Sequence, residues 1–585
     1  MLRFSLAVLT MFAFSTFTNA PEAQDVRDVP KTDVPVDYLI VYAGDFNDVA
    51  AEWARHRIAS GRVAETLEYA KVNEVPSLDA LKAHITKLHE SAPSLQVLLI
   101  GDCPDFGSKK VDLATQIPWK MSSYKDAALR APKSVPSDNF LANTVKDKQG
   151  KPDLAIGRIP AQTVEQAELA LAKVKLYESS KSGEWMRDLT FFAGEGRFGA
   201  IVDSMIEGLF TQFVDMAVDQ AYDVRMTYAN INSSYAYVPS QFSAKVLQEA
   251  NKGGLLLTYI GHGMYDRLDN MQVKIGDETK RYPILAKADV AKFDIKDGKL
   301  PVMVIIACQT GYMDHKEGCL AEAVLFKENA PVAVISSSRD SHPYSNIIFQ
   351  KSLTETIVGD AVTIGDAFLA AKRELVEAKD PQRMTLDMMA LAQFPSKEDR
   401  DRINEAHLRL YNLTGDPGLV LRKSNAQVFV AKGDKGPELT KKISVKAESE
   451  FEIAIRLAPK MCVQFKDGAK VEGIRIELCR MRSAKAASLQ TLKKEDLYSA
   501  DEDKRKIAQE VMIANHAAAN DKVVSDTKFT LKAAFVGEDD STVIYTVKLG
   551  PGVAPGDYIL KVFALDAESD SVALTSTPLK VRRKR

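Results

Sequence analysis

The run PVMVIIACQTG, Pro301 to Gly311, constrains this chain more than any other stretch. Val302, Val304, Ile305 and Ile306 form a continuous apolar segment without polar alternation, the pattern of a strand covered on both faces. Such a strand ends where Cys308 meets the turn-former Gly311. An open α/β sheet puts its chemistry at the carboxyl ends of its strands. A second strand, GGLLLTYIGHG, ends 46 residues earlier (308 − 262) at His262, between Gly261 and Gly263. An imidazole and a thiol on two adjacent strand ends make a candidate base and nucleophile.

With 585 residues the chain is too long for one core, and two to four domains are expected. A content of 45% hydrophobic and 27% charged residues is that of an ordinary globular protein. The net charge of −2 offers no field for nucleic acid or an anionic membrane, which excludes those partners. No internal stretch is long and apolar enough to span a bilayer. At the N-terminus, Arg3 precedes the apolar run Leu6 to Phe14 and then small and polar residues up to Ala20. This reads as a signal peptide over residues 1–23, cut after Ala20 or Ala23, and places the protein outside the cell, in the periplasm or at the cell surface.

Five cysteines cannot all pair, so at least one thiol is free. Cys462 and Cys479 lie on two nearby predicted strands and are a candidate disulfide. Cys103 and Cys319 read as small core residues. Cys308 is then the candidate reactive thiol.

Residues 24–36 are an Asp- and Pro-rich linker. An N-terminal α/β subdomain is expected over 37–185. Its strands are DYLIVYAG, LQVLLIGD and DLAIGRIP; its helices are Asn47–Ala59 with Trp53 and Ile58 inward, Ser77–Ser91, and Thr163–Glu178. Pro104 to Asp138 reads as loop. A second subdomain over 186–424 holds the strands ending at Glu195, His262 and Cys308, a further strand APVAVISSS, and helices at Ile201–Met216, Cys319–Phe326 and Ile347–Leu375. Alternation of strand and helix over this span implies a mostly parallel sheet flanked by helices. From 425 to 585 the pattern changes to short alternating segments (KKISVKA, EFEIAIRL, GIRIELCR, STVIYTVKL, DYILKVFALD), the signature of an all-β, immunoglobulin-like sandwich. A Lys-, Ala- and Glu-rich stretch near 483–521 reads as an exposed helical insertion.

The ordered set DYLIVYAG, VLLIGD, SDNFLA, DLAIGRIP, YIGHG, IIACQTG, CLAEAVLF and LTGDPGLVL resembles the gingipain-type cysteine peptidases, secreted relatives of the caspases. The resemblance implies a caspase-like fold and a cysteine endopeptidase acting on protein or peptide substrates. It implies Cys308 as nucleophile, His262 as catalytic histidine and Glu195, in FFAGEGR, as the acid that orients the histidine. Asp203 stands near the position that lines a pocket for a basic substrate side chain, although its spacing from Glu195 is about three residues shorter than in the family. The resemblance implies no required cofactor and allows calcium as a structural ion; no EF-hand spacing is present.

The residues support the first three roles on their own chemistry. A free thiol titrates near 8.5, so attack near neutral pH needs help from a neighbouring imidazole. The same imidazole then protonates the leaving amine. By analogy with the family, the resemblance makes the backbone N–H groups of Gly263 and Cys308 the candidates for holding the oxyanion; a glutamate on the next strand would fix the histidine tautomer. The alternatives are a catalytically silent surface protein of the same fold and a sorting enzyme that transfers its acyl group to an amine. His315 and His342 lie near Cys308 in sequence without a catalytic role, and the segment SRDSHPY is expected to border the substrate cleft. There is no Gly-rich phosphate loop, C-x-x-C pair or H-E-x-x-H motif, so no metal site is expected.

Overall fold

The computed structural model describes residues 34–584 except 124–133, 146–149, 197–213, 216, 276–277, 378, 392, 433–441, 458–460, 462–464, 467–469, 472, 485, 487 and 537–540. Ten strands form one sheet: β1 (Tyr38–Tyr42), β2 (Ala64–Glu68), β3 (Gln96–Ile100), β4 (Ala155–Ile159), β5 (Asp188–Ala193), β6 (Asp223–Tyr228), β7 (Leu256–Ile260), β8 (Val302–Ile306), β9 (Ala333–Ser337) and β10 (Tyr411–Thr414). Their spatial order is β2-β1-β3-β4-β10-β9-β8-β7-β5-β6. Every neighbouring pair is parallel except β9 with β10, so two parallel five-stranded halves meet at one antiparallel seam. Strand β10 comes from the end of the second sequence segment yet completes the first half, pairing with β4 at Thr414 and Arg158.

The buried runs behave as their sequence requires. YLIVY, QVLLI and VMVII are buried along their whole length. Each such side chain contributes roughly 1.5–3 kcal/mol relative to exposure. The helix Asn47–Ala59, α1, buries Ala50, Trp53, Ala54 and Arg57 on one face, and Gly61 takes a positive φ of 89° just past its end. Ile58 is 41% exposed rather than inward, because it lies off that face. Ser77 and Thr163 cap their helices as expected, each side chain accepting a backbone N–H of the first turn. The region 347–375 is two helices, Pro343–Val358 and Ile364–Glu377, separated by a break at Gly359. Within the stretch read as loop, Lys120–Ser123 and Ser134–Ser137 pair as a small antiparallel hairpin. The helix expected at 201–216 lies outside the described residues but for its last turn.

Asp416, directly after β10, is fully buried and ties β10 to β1 and α1 within the first half. It accepts hydrogen bonds from Tyr38 Oη, Trp53 Nε1 (2.5 Å), the Arg57 guanidinium (Nη2 2.5 Å) and Gly418 N–H (2.7 Å). Arg57 also reaches Glu178 at 2.9 Å.

Residues 428–582 form two four-stranded sheets packed face to face around one core. All pairs are antiparallel except Ile443–Lys446 with Ser571–Arg582, which is parallel. Phe563 and Val572 of this sandwich enter the main core. Cys479 is a buried free thiol and Cys462 lies outside the described residues, so the expected disulfide is not present at Cys479.

The insertion is docked, not exposed. Its helix Glu502–Asn520 buries Ala508, Met512, His516 and Ala519. Ala508, Met512 and Leu497 pack on Ala236 and Val238, just after β6. The Asn520 amide seals the free edge of β6, accepting from Met226 N–H at 2.8 Å and donating to Met226 O at 3.0 Å. An unpaired strand edge invites association, and the insertion covers it.

Candidate active site

Register decides which side chains meet. Ala193, Ile260 and Ile306 are paired across β5, β7 and β8. Two residues further along each chain stand Glu195, His262 and Cys308 (193 + 2, 260 + 2, 306 + 2), each just beyond the end of one of three neighbouring strands at the carboxyl rim of the sheet. All three are partly exposed.

Glycine is required here for contact between the strand ends themselves. A Cβ on Gly263 would lie 2.7 Å from Thr310 Cγ2, 2.8 Å from Cys308 O and 2.9 Å from Ala307 Cβ. The lack of a side chain at Gly263 is thus used to bring the His262 turn against the Cys308 turn. Tyr259, fully buried in β7, donates its hydroxyl to the His262 carbonyl at 2.8 Å and holds that turn from below.

The Cys308 turn is constrained from its other side. Gln309 has a φ of 58°, a left-handed conformation costing a non-glycine residue about 1–2 kcal/mol. Two bonds hold it there: its N–H donates to Arg339 O at 3.1 Å and its Nε2 to Asp340 Oδ1 at 2.7 Å. The Cys308 sulfur accepts the Ser341 N–H at 3.3 Å and lies 3.7 Å from Ser341 O. Among the described residues its hydrogen-bonding partners all belong to Ser341, and the Cys308 N–H donates to no acceptor. Burial pushes the Cys308 thiol above its ordinary value; the Ser341 N–H opposes this and the Asp340 carboxylate adds to it. Burial thus favours the thiol over the thiolate, and among the described residues the sulfur is hydrogen-bonded to Ser341 and not to the imidazole.

SRDSHPY, Ser338 to Tyr344, is the segment that contacts the sulfur, and it is rigidly anchored. Buried Arg339 pairs in bidentate fashion with Asp314 (2.8 and 2.6 Å) and lies 3.8 Å over the Tyr312 ring. The His342 N–H donates to His407 Nε2 at 2.8 Å, while His407 Nδ1 donates to Ile403 O at 2.7 Å. Burial lowers His407 to about 3, so its Nε2 remains an acceptor over the whole useful pH range. His342 caps the following helix through Nδ1, accepting from Tyr344 N–H. His315 stacks on Tyr265 with ring centroids 3.8 Å apart. Cys103 and Cys319 are buried thiols that burial holds well above their ordinary value, inert as expected.

Asp203 lies outside the described residues. Among the described residues no group of three or more His, Cys, Asp or Glu side chains is placed to hold a metal ion. No helix among them is long and apolar enough to cross a membrane. Tyr259, Gln309 and Ser341 were not singled out from sequence. A tyrosine three residues before His262 was a readable signal, whereas Gln309 and Ser341 act through backbone conformation and N–H groups that any residue type carries.

The sequence profile of peptidase family C25 matches residues 31–422. No curated protein matches the chain. Among solved structures the chain is similar to the Arg-specific cysteine proteinase gingipain R (RGPB), at 17% identity over 94% of this chain and 100% of that one, with a TM-score of 0.46. It is similar to the complex of Porphyromonas gingivalis RgpB pro- and mature domains, at 16% identity over 93% and 100%, TM-score 0.45. Dimeric latent PorU from Porphyromonas gingivalis follows at 12% identity over 93% of this chain and 43% of that one, TM-score 0.34.

Proposed function

Since the chain belongs to peptidase family C25 and is a cysteine peptidase, we propose that it is an exported endopeptidase working through Cys308, His262 and Glu195. The observation that carries this reading is the register that sets the three residues just beyond the ends of neighbouring strands. As a peptide carbonyl approaches, the Cys308 sulfur attacks the carbonyl carbon and its proton passes to His262. The unengaged Cys308 N–H, with that of Gly263, receives the developing oxyanion. Collapse breaks the C–N bond, His262 hands the proton to the departing amine, and an acyl-enzyme remains. Water, deprotonated by His262, releases the acid. Glu195 keeps the imidazole in the tautomer this sequence needs. Export follows from the signal-like residues 1–23, and a preference for basic side chains from Asp203.

Incubation with a diverse peptide library, read by mass spectrometry, tests the reading. Internal peptide bonds are expected to be cleaved, and prior treatment with iodoacetamide at alkaline pH is expected to stop cleavage. Cleavage unaffected by alkylation, or none by the untreated enzyme, would overturn the reading. Products joined to an added amine would instead favour acyl transfer over hydrolysis. Loss of any Arg or Lys preference in Asp203→Ala checks the specificity assignment; an unchanged preference refutes it.

Gly263→Ala tests the contact between strand ends. The added methyl must push the His262 and Cys308 turns apart, and displacement by about 1 Å lowers turnover about a hundredfold. Thermal unfolding should show a loss of about 1–3 kcal/mol, the usual result of overpacking. Full activity in this variant would show that the close approach does not position His262.

A further inference from the structure

At the amino ends of β5 and β6, on the rim opposite Cys308, the sandwich and the sheet border a half-open pocket of about 320 Å³. A water takes about 30 Å³ of liquid volume, so the space is large enough for a small solute with its hydration. Its wall is crowded with charge, and the charges do not cancel. Of its five carboxylates, four are engaged by cations in the same wall. Asp188 pairs with Arg225 (2.8 Å), Asp223 with Lys561 (2.8 Å) and Arg187 (3.1 Å), Glu184 with Arg475 (2.7 Å), and Glu477 with Arg475 (2.7 Å) and Arg187 (3.2 Å). The fifth, Asp521, is exposed and accepts the Val523 N–H at 3.1 Å.

Among the described residues, two cations of this wall have no carboxylate at ion-pair distance: Arg480 donates Nη2 to the Asp521 carbonyl (3.2 Å), and Lys522 donates Nζ to the Ala484 carbonyl (3.0 Å). They are backbone partners as well, Arg480 N–H bonding to Lys522 O at 2.8 Å. Burial, and next the Arg480 charge, hold Lys522 below its ordinary value. Three guanidinium nitrogens of residues in this wall, Arg480 Nε, Arg225 Nη1 and Arg187 Nε, are buried without a hydrogen-bond partner among the described residues, the last at ion-pair distance (3.1 Å) from Asp223. A buried donor left unmet costs about 1–3 kcal/mol, more when charged, and juxtaposed like charges add to that cost. An oxyanion in the pocket offsets the juxtaposed positive charge of Arg480 and Lys522.

We propose that this pocket binds one compact tetrahedral oxyanion, of the phosphate or sulfate class, between Arg480, Lys522 and Arg225. The anion joins the sandwich and its insertion to the edge of the sheet. The site is separate from the Cys308 rim, so its test is independent of the peptidase reading.

Equilibrium dialysis of the full chain with radiolabelled phosphate at about 10 mM, in chloride buffer of fixed ionic strength, is expected to show about one bound anion per chain. Competition with sulfate then tells which of the two is preferred. Titration with phosphate should raise the melting temperature saturably, by about 1–3 °C. The double variant Arg480→Gln, Lys522→Gln should lose both effects while cleaving peptides as before. Lack of stoichiometric phosphate or sulfate binding by the wild-type chain overturns the proposal, and so does an equal thermal response in a folded double variant. If the double variant does not fold, Lys522→Gln alone serves: it must bind phosphate at least about tenfold more weakly, and unchanged binding refutes the site.

Discussion

Cys308→Ala is expected to lower kcat/KM for peptide hydrolysis by at least about 10⁴-fold, the scale set by removing a covalent nucleophile. Unfolding should barely change, because the thiol is partly exposed and its sulfur makes only weak bonds to Ser341. The pH dependence is more informative than the loss. Burial raises the resting thiol, with Ser341 N–H opposing and Asp340 adding. Only the thiolate is alkylated. Without substrate, iodoacetamide should therefore label Cys308 more slowly at pH 7 than it labels free cysteine, and labelling should accelerate as the pH climbs past about 8.5. Peptide turnover at pH 7 should nonetheless proceed, since His262 takes the proton during attack. His262→Ala should abolish turnover and leave slow labelling as it is. Labelling at pH 7 faster than for free cysteine would mean a thiolate–imidazolium pair already formed at rest, and the coupled proton transfer would then be wrong.

Asp416→Ala is expected to be the most destabilising single change in the α/β unit. It strands the buried donors of Tyr38 and Trp53 and leaves Arg57 with Glu178 as its remaining anion. Breaking a buried ion pair from one side costs about 3–5 kcal/mol, measurable as a lower midpoint in urea. The sign with pH follows from the carboxyl's environment. Burial would raise Asp416, but the Arg57 charge and the hydrogen bonds from Tyr38, Arg57 and Trp53 outweigh it and hold the carboxyl below its usual range. A carboxyl depressed in the folded state stabilises fully above the unfolded value near 3.9, and this contribution is lost as pH falls through the folded value. The gap between wild type and Asp416→Asn should accordingly be constant from neutral pH to about 5 and narrow below about 3.9. A gap independent of pH down to acid unfolding would mean that the charge of Asp416 contributes nothing.

Much of the fold was readable because interior parallel strands are covered on both faces and write themselves as unbroken apolar runs. YLIVY and VMVII do so, QVLLI does after its first residue, and AVISS does over its first three. The edge strands AETLE and DVRMTY carry polar residues on half-exposed faces and leave no such mark. YNLT, only four residues long, is a strand because two half-sheets meet there, a condition no local pattern records. The insertion looked exposed because its mean composition is charged. Its buried residues, Ala508, Met512, His516 and Ala519, follow helical spacing, but of these Met512 alone is a large apolar side chain. At the candidate site, glycines flanking His262 and ending the Cys308 turn marked both chemical groups. The resting place of the sulfur was not readable, because a main-chain N–H holds it.

The place of β10 between β4 and β9 also bears on how the molecule is made. A chain growing from its N-terminus releases β4 by residue 159, but the strand that must lie against it begins at residue 411, 252 positions later (411 − 159). At about 5–20 residues per second, that separation lasts roughly 13–50 s of synthesis. During this time the flanks of β4 and β9 are bare, and the nascent polypeptide carries two half-sheets that have yet to join. The strands bearing Glu195, His262 and Cys308 are adjacent within the second half, so the reactive groups can align before the seam closes. Ribosome-stalled chains ending before 411 should accordingly protect the backbone amides of β7 and β8 while leaving β4 open to exchange.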